Sequence, residues 1–553
     1  MTSKQARILA ISAVIVGLML WGLFNLTTLR GVVLAAGVPV AGAVVRVQGT
    51  ANSTFTDSNG GFALPVPPLS GELHVTAWAS GYFISHAAGS PPSELTLTLR
   101  AHPTADNPEY TFVSPVLDPT AAGACGRCHA AGAGTVNTAL PVDEWLADAH
   151  AQSAVNPRFL SLYNGTTPSG AIGTPTQYRF DVELGIDVPV LASSDVGFRL
   201  DFPETAGMCA ACHVPILALE QPYDADPNAA EGVAAEGVTC DFCHKIAGVQ
   251  LEIDGRPSPH VPGVQSLEFV RPPDEEQIFF GPYDDTPGDD VYLPLQAQSQ
   301  FCAACHSGTF WGVSMYDSFG EWLASPYSDP VTGQTCQACH MPHMGVSTFV
   351  NLPPDVTQYV PERDPQTIFS HRMPGAADST LLQATAELTA EAQRDGASLT
   401  VSVAVTNTGA GHAIPTDNPL RNLILLVEAR NAAGQPLELL DGAVIPEWGG
   451  VGDPAAGYYA GLPGRLYTKL LADFYTGETP TYAYWRQTRL VSDNRIAALA
   501  TDVSSYRFNV PDGAGEITVE ARLFLRRAFI DLMAAKGWDT PDILMEQVVR
   551  VVP

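Results

Sequence analysis

Basic residues are scarce in this chain of 553 residues: Lys and Arg number 28 against 58 Asp and Glu, a formal charge of −30. So acidic a surface repels phosphate backbones, which excludes a nucleic-acid partner. Charged residues of either sign make up only 16% while 46% are hydrophobic, and this excludes a disordered, highly charged polymer. Beyond Ile8–Leu29 no apolar run is long enough to span a bilayer. No cysteine stands alone, because all ten fall in C-x-x-C-H pentapeptides. Gly and Pro, in contrast, number 49 and 45, which favours turn-rich, irregular or all-β architecture over a long helical bundle. At roughly 100–200 residues per domain, the length predicts three or four domains.

The pentapeptides are Cys125-Gly-Arg-Cys128-His129, Cys209-Ala-Ala-Cys212-His213, Cys240-Asp-Phe-Cys243-His244, Cys302-Ala-Ala-Cys305-His306 and Cys336-Gln-Ala-Cys339-His340. This spacing reads as c-type haem attachment. Two thiols three residues apart reach the two vinyl groups on one porphyrin edge and form thioethers, and the following histidine is carried under the iron as its proximal ligand. The expected cofactors are five covalently bound haem c groups. Zinc is the first alternative, but it needs two C-x-x-C units per metal, which leaves an odd unit, and it does not call for His at all five positions. A disulfide scaffold does not explain the histidines either.

The N-terminus carries Lys4 and Arg7 before the uncharged run Ile8–Leu29. At ~1.5 Å per residue that run crosses a core of ~30 Å. The positive-inside rule then predicts an uncleaved single-pass anchor over residues 1–29 in the cytoplasmic membrane, N-terminus inside, with the haem domain on the extracytoplasmic (periplasmic or cell-surface) side. A cleaved signal peptide is the alternative. Residues 30–100 hold short Val/Leu/Thr-rich runs between turn signals such as Asp57-Ser-Asn-Gly60 and predict a small β-sandwich. A Pro/Asp-rich linker at 101–120 opens the haem domain, residues 101–383. In residues 384–553, Leu399, Val401, Val403 and Val405 alternate with polar or small residues, which predicts a second, Ig-like sandwich. Hairpins are expected around Gln393–Gly396 and around Ala433-Gly434, with a short helix at Ala528–Ala535. The expected fold class is thus multidomain: an N-terminal transmembrane helix, a small β-sandwich, an irregular, mostly α multihaem domain and a C-terminal β-sandwich.

Each iron needs a sixth ligand, and five histidines outside the motifs lie within or after the haem region: His150, His260, His343, His371 and His412. Their number matches bis-His ligation throughout, the arrangement of centres that only pass electrons. Met208, Met341 and Met344 read as porphyrin-packing side chains. One internal repeat is visible, Glu144-Trp145-Leu-Ala-Asp-Ala-His150 against Glu321-Trp322-Leu-Ala-Ser-Pro-Tyr327, and it reads as a duplicated packing helix.

Two resemblances add to this reading. GVPVAGAVVRVQGT followed by FTDSNGGFALPV resembles the carboxypeptidase regulatory-like family, which implies a prealbumin-like accessory module without catalysis of its own, acting as spacer, dock or simple stalk. EWLADAHAQSAVNPRF, GVTCDFCHKI, EWLASPYSDPVTGQTCQACHMPH and NTGAGHAIPTDNPLRNL resemble multihaem c-type cytochromes related to the nitrifier tetrahaem cytochromes and hydroxylamine oxidoreductases. That likeness implies closely stacked haems and mostly bis-His ligation, and by position it makes His150 the distal histidine of a W-x-x-S-x-H pattern, with Asp148 where Ser is usual. No C-x-x-C-K motif is present, so the Lys-ligated haem of the pentahaem nitrite reductases is missing. The expected function is electron transfer through stacked haems, with a basic cytochrome, a copper protein or a quinol-linked complex as redox partner and the membrane as anchor. The alternatives are a multihaem oxidoreductase with one open haem acting on a small nitrogen or sulfur compound, and a structural subunit of a larger complex.

Overall fold

The computed structural model describes residues 27–553 apart from 69–70, 117–123, 132–137, 191–194, 260, 262, 275 and 353–359. The first described element is a strand, Thr27–Ala35. It pairs antiparallel with Gly61–Val66 and parallel with Glu94–Leu99. A second sheet in the order Ser53–Phe55, Val44–Val47, Leu73–Trp78, Ser85–Gly89 faces it. The alternation legible in the sequence is realised: Phe62, Leu64 and Val66 point inward from one strand, Leu95, Leu97 and Leu99 from another, against Leu29, Val33, Val45 and Val75. The turn before Gly61–Val66 is fixed by Asp57, whose carboxylate accepts from the N–H groups of Asn59 and Gly61 at 2.8 and 2.9 Å. Gly60 there has φ +71°, and a Cβ would come 2.6 Å from the Val33 carbonyl oxygen.

Two expectations are corrected here. The predicted helix over residues 1–29 ends wrongly, because Thr27–Leu29 are strand and Leu29 is fully buried in the sandwich core. Residues 1–26 lie outside the described residues. Among the described residues no helix is long and apolar enough to cross a membrane, so the single-pass anchor, and the localisation drawn from it, are withdrawn. The mostly α haem domain is also corrected. Its described helices run only four to eight residues, the longest being Pro157–Asn164. They alternate with two-stranded ribbons, including Tyr178–Asp181 with Ile186–Pro189 and Gly308–Phe310 with Val313–Tyr316. The cause is local: Pro and Gly recur every few residues and stop each helix after one or two turns, so the protein is predominantly β with short helical turns at the motifs.

The C-terminal region stacks two four-stranded sheets. One runs Ala386–Asp395, Ser398–Asn407, Thr501–Asn509, Leu439–Gly442 and the other Gly464–Tyr467, Asn422–Arg430, Ile517–Arg526, Ile543–Val552. Val401, Val403, Val405, Leu425, Val427, Val519 and Leu523 fill the space between them. The first expected hairpin forms, turning at Gly396. The second forms but is short. Around the turn at Gly434 the Asn431 N–H donates to the Gln435 carbonyl at 2.9 Å and the Leu437 N–H to the Ala429 carbonyl at 2.7 Å, flanking the antiparallel bridge of Arg430 and Pro436. Leu439–Gly442 then crosses to pair with Thr501–Asn509 in the other sheet, where Leu437 and Leu439 reach the core between the sheets. The helix Ile530–Lys536 packs Leu532 and Met533 against Leu162 and Leu420, between the haem region and the sandwich.

Polar ties join the parts. Arg46 reaches Asp284 at 2.8 Å, and the Ile84 N–H donates to the Asp290 carbonyl at 3.0 Å. On the other side Asp201, buried, accepts from Trp485 Nε1 and Arg486.

Candidate haem centre

Each pentapeptide forms one helical turn. The N–H of His129, His213, His244 and His306 donates to the carbonyl of the first cysteine of its motif at 2.9–3.1 Å, and Cys336–His340 is helical throughout. A cysteine pair at i and i+3 then shares one face of the turn, which is what two thioethers to one porphyrin edge demand. Thr239 and Thr335 cap two of these turns by accepting from the N–H groups of Phe242 and Ala338.

The turns converge. The thiols of Cys125 and Cys240 adjoin, as do Cys212 with Cys305 and Cys302 with Cys336. Cys209, Cys212, Cys240, Cys243, Cys302, Cys305, Cys336 and Cys339 all line one cavity of about 1380 Å³, together with His213, His244, His306 and His340. That exceeds the roughly 300–1,000 Å³ of an ordinary small-molecule site. Cys125, Cys128 and His129 sit beside it, the first of them against Cys240.

The proximal histidines are oriented by their second ring nitrogen. Nδ1 lies 2.9 Å from the Phe349 carbonyl in His129, 2.7 Å from Phe280 in His244, 2.7 Å from Pro374 in His340 and 3.3 Å from the Asp417 carboxylate in His306. His213 donates to the Ser153 carbonyl, and burial lowers it to about 4, which keeps it neutral. Such contacts fix the tautomer and leave Nε2 free for a metal. For His306 burial opposes the charge, but Asp417 outweighs it and lifts the ring to about 9.

The distal candidates divide. Two imidazoles facing each other across one metal, each with a metal–nitrogen bond of about 2 Å and about 1.1 Å more to its ring centre, have centroids about 6 Å apart. His150 stands 6.3 Å from His306 and His412 stands 6.3 Å from His340. The Nδ1 of His150 is held by Asp148 at 2.6 Å and that of His412 lies 3.0 Å from the Ala413 carbonyl, so both Nε2 atoms are free. Burial, with His244 and His129 nearby, lowers His371 to about 4. His343 packs on Phe369 at 5.2 Å and is not among the residues that line the cavity. His260 lies outside the described residues.

Asp417, Glu144 and Glu321 were missed by sequence reasoning. The EWLA repeat was the signal for the two glutamates, and its role differs from the expected packing alone. Glu144 accepts from the N–H of His371 at 2.8 Å, and Glu321 accepts from the N–H of Ala413, next to His412, at 3.0 Å. Each copy therefore clamps a loop that carries one of the candidate histidines, His371 or His412. The paired tryptophans also act alike, Trp145 donating to the Val238 carbonyl and Trp322 to that of Gln334, both at 2.8 Å.

The residues present fit covalent haem. Their thiols come in i, i+3 pairs, their imidazoles come at a two-ligand spacing, and the space between is large. Among the described residues no group of three His, Cys, Asp or Glu side chains is placed to hold a bare ion.

Comparison with known proteins divides along the chain. Residues 28–102 match the carboxypeptidase regulatory-like domain. This carboxypeptidase regulatory-like domain is the N-terminal sandwich that Arg46 and Ile84 tie to the haem region. No curated protein matches the chain. A penta-haem cytochrome c552 from Thermochromatium tepidum is similar at 19% identity, covering 74% of this chain and 96% of its own, with a TM-score of 0.49. A type II cohesin–X-dockerin complex from Acetivibrio cellulolyticus, 25% identical, covers 14% of this chain and 58% of its own with a TM-score of 0.12. The likeness to the nitrifier cytochromes is not confirmed by these comparisons.

Proposed function

We propose that the protein is an electron-transfer protein that holds five c-type haems, one on each C-x-x-C-H turn. The observation that carries this reading is the single cavity lined by four of the five turns, within which His150 and His412 stand at iron-spanning distance from His306 and His340. Haem c, when bound, exchanges one electron at its iron, at a potential set by axial ligands, burial and nearby charge. The chain's own residues do the rest. Cys pairs fix each porphyrin edge, backbone carbonyls and Asp417 orient the proximal rings, and Glu144 and Glu321 hold the distal loops. Trp145, Phe242, Phe301, Phe319 and Trp322 give the cavity apolar walls. The acidic surface favours a basic cytochrome or copper protein as partner, or a quinol-linked complex, with an encounter that weakens as salt rises.

The test is anaerobic reductive titration of the oxidised protein. Uptake of five electrons per chain, with c-type bands growing at each step, supports the reading. A preparation from a haem-maturing host that takes up none contradicts it.

A second reading, an oxidoreductase acting on a small nitrogen or sulfur compound, is favoured by one observation. Among the described residues His129, His213 and His244 all lack an imidazole at the two-ligand spacing, and His213 differs from the other two in what stands there. Phe159 stacks on the His213 ring at 3.9 Å, and the hydrogen-bonded pair Tyr316 and Tyr484 stands near Cys209.

A further inference from the structure

Three arginines meet where the C-terminal sandwich closes the cavity, and their geometry is odd for so acidic a protein. In the pairing of Asn422–Arg430 with Ile517–Arg526, Asn422 sits opposite Arg526. One step further along both chains, Arg421 and Arg527 therefore face each other, a like-charge placement that sheets avoid. Arg158 joins them from the helix Pro157–Asn164, next to the Phe159 ring that stacks on His213. All three line the cavity.

Arg526 shows what a structural arginine looks like in this fold. It is buried and paired with Asp542 at 2.7 Å while also donating to the carbonyls of Gly449 and Gly457. Arg527, its neighbour, makes no hydrogen bond or ion pair among the described residues. Burial, with the charges of Arg158 and Arg421, pushes it down to about 10, far below the usual range for a guanidinium. Arg421 spends one nitrogen on the Thr416 carbonyl at 3.0 Å, and Arg158 stacks over Trp538 and reaches Thr540. The carboxylates acting on the cluster are Asp417, near Arg421 but committed to His306 and Ser318, and Asp539, near Arg158. Three guanidiniums are thus gathered with most of their donors aimed at no protein acceptor.

We propose that Arg158, Arg421 and Arg527 form a seat for a carboxylate or related oxyanion at the edge of the cavity between His213 and His306. Planar forks of N–H donors match such anions in pairs, and in a partly desolvated site each contact is strong. The anion has two sources: the propionates of a haem held on Cys209 and Cys212, or a free small oxyanion entering beside His213. The inference rests on the haem reading of those motifs.

The experiment compares wild-type holoprotein with Arg527→Gln, Arg421→Gln and Arg527→Lys, after haem content has been measured in each. Oxidised protein is titrated calorimetrically with nitrite and with sulfite, and the propionate bending bands are recorded by resonance Raman spectroscopy. A free-anion seat predicts binding that weakens ten- to a hundredfold in both glutamine variants and far less in Arg527→Lys. A propionate seat predicts no binding of either anion and propionate bands that shift in the glutamine variants but hold in Arg527→Lys. Neither anion binding nor a band shift in either glutamine variant, at full haem content, overturns the seat while leaving the haem reading intact. A wild-type protein without haem overturns the reading beneath it.

Discussion

Alanine at His412 converts one low-spin centre to high spin, and alanine at His150 converts a different one. Each imidazole stands 6.3 Å from a proximal partner, His340 and His306 respectively, with Nδ1 already engaged and Nε2 free. Removing either ring leaves an iron with a weak ligand or none, and the ligand field falls. Electron paramagnetic resonance and magnetic circular dichroism of the oxidised protein then lose the low-spin intensity of one centre in each single variant and of two in the double variant. Exogenous imidazole restores low spin in each single variant if the ring acted as ligand. Unchanged spectra would show that these histidines are only packed nearby.

The largest stability effect is expected at Asp241, inside the third motif. Lys245 and Asp241 are 0% and 1% exposed, and Lys245 Nζ lies 2.5 Å from Asp241 Oδ1. Asp241 Oδ2 accepts from Tyr110 Oη at 2.9 Å and from the Val113 N–H at 2.8 Å, so one carboxylate ties the linker after the N-terminal domain to a haem turn. Asp241→Ala strands a buried ammonium and two donors, at a cost of about 3–5 kcal/mol. The pH dependence has a definite sign. Burial lowers the Lys245 pKa in the fold, and Asp241 partly restores it. In the variant the folded pKa drops further, so between that value and the unfolded value the unfolded chain binds more protons, and stability rises with pH. Urea midpoints of the holoprotein should therefore show a deficit that narrows as pH rises. Adding Lys245→Met recovers most of it, because an apolar pair replaces a lone charge. A deficit that is flat with pH and indifferent to Lys245→Met would contradict this account.

Local features were legible in the sequence and long-range ones were not. The five pentapeptides carry their own geometry, since spacing alone decides that Cys and Cys share a helical face. The period-two runs at Gly61–Val66 and Ser398–Asn407 likewise declare which side chains are buried. The expected mostly helical haem domain failed because a motif that is helical for one turn says nothing of its flanks, where Pro and Gly rule. The hairpin at Ala433-Gly434 is cut short after the Arg430–Pro436 bridge because a turn signal does not say which sheet the next strand joins. That His150 comes to lie beside His306 of the fourth motif rather than beside the nearby first one follows from the path of connecting loops, which have no periodicity. Glu144 and Glu321 were visible only as a repeated word, and their clamp on distant loops appears once the chain is folded.

Everything rests on covalent porphyrin at the paired thiols. The most direct measurement is the intact mass of the purified protein under denaturing, reducing conditions, from a host with working cytochrome maturation. The account predicts a single species heavier than its polypeptide by five haem groups, with the Soret band travelling with the unfolded chain. A mass equal to the bare polypeptide, with ten thiols open to alkylation, would contradict it.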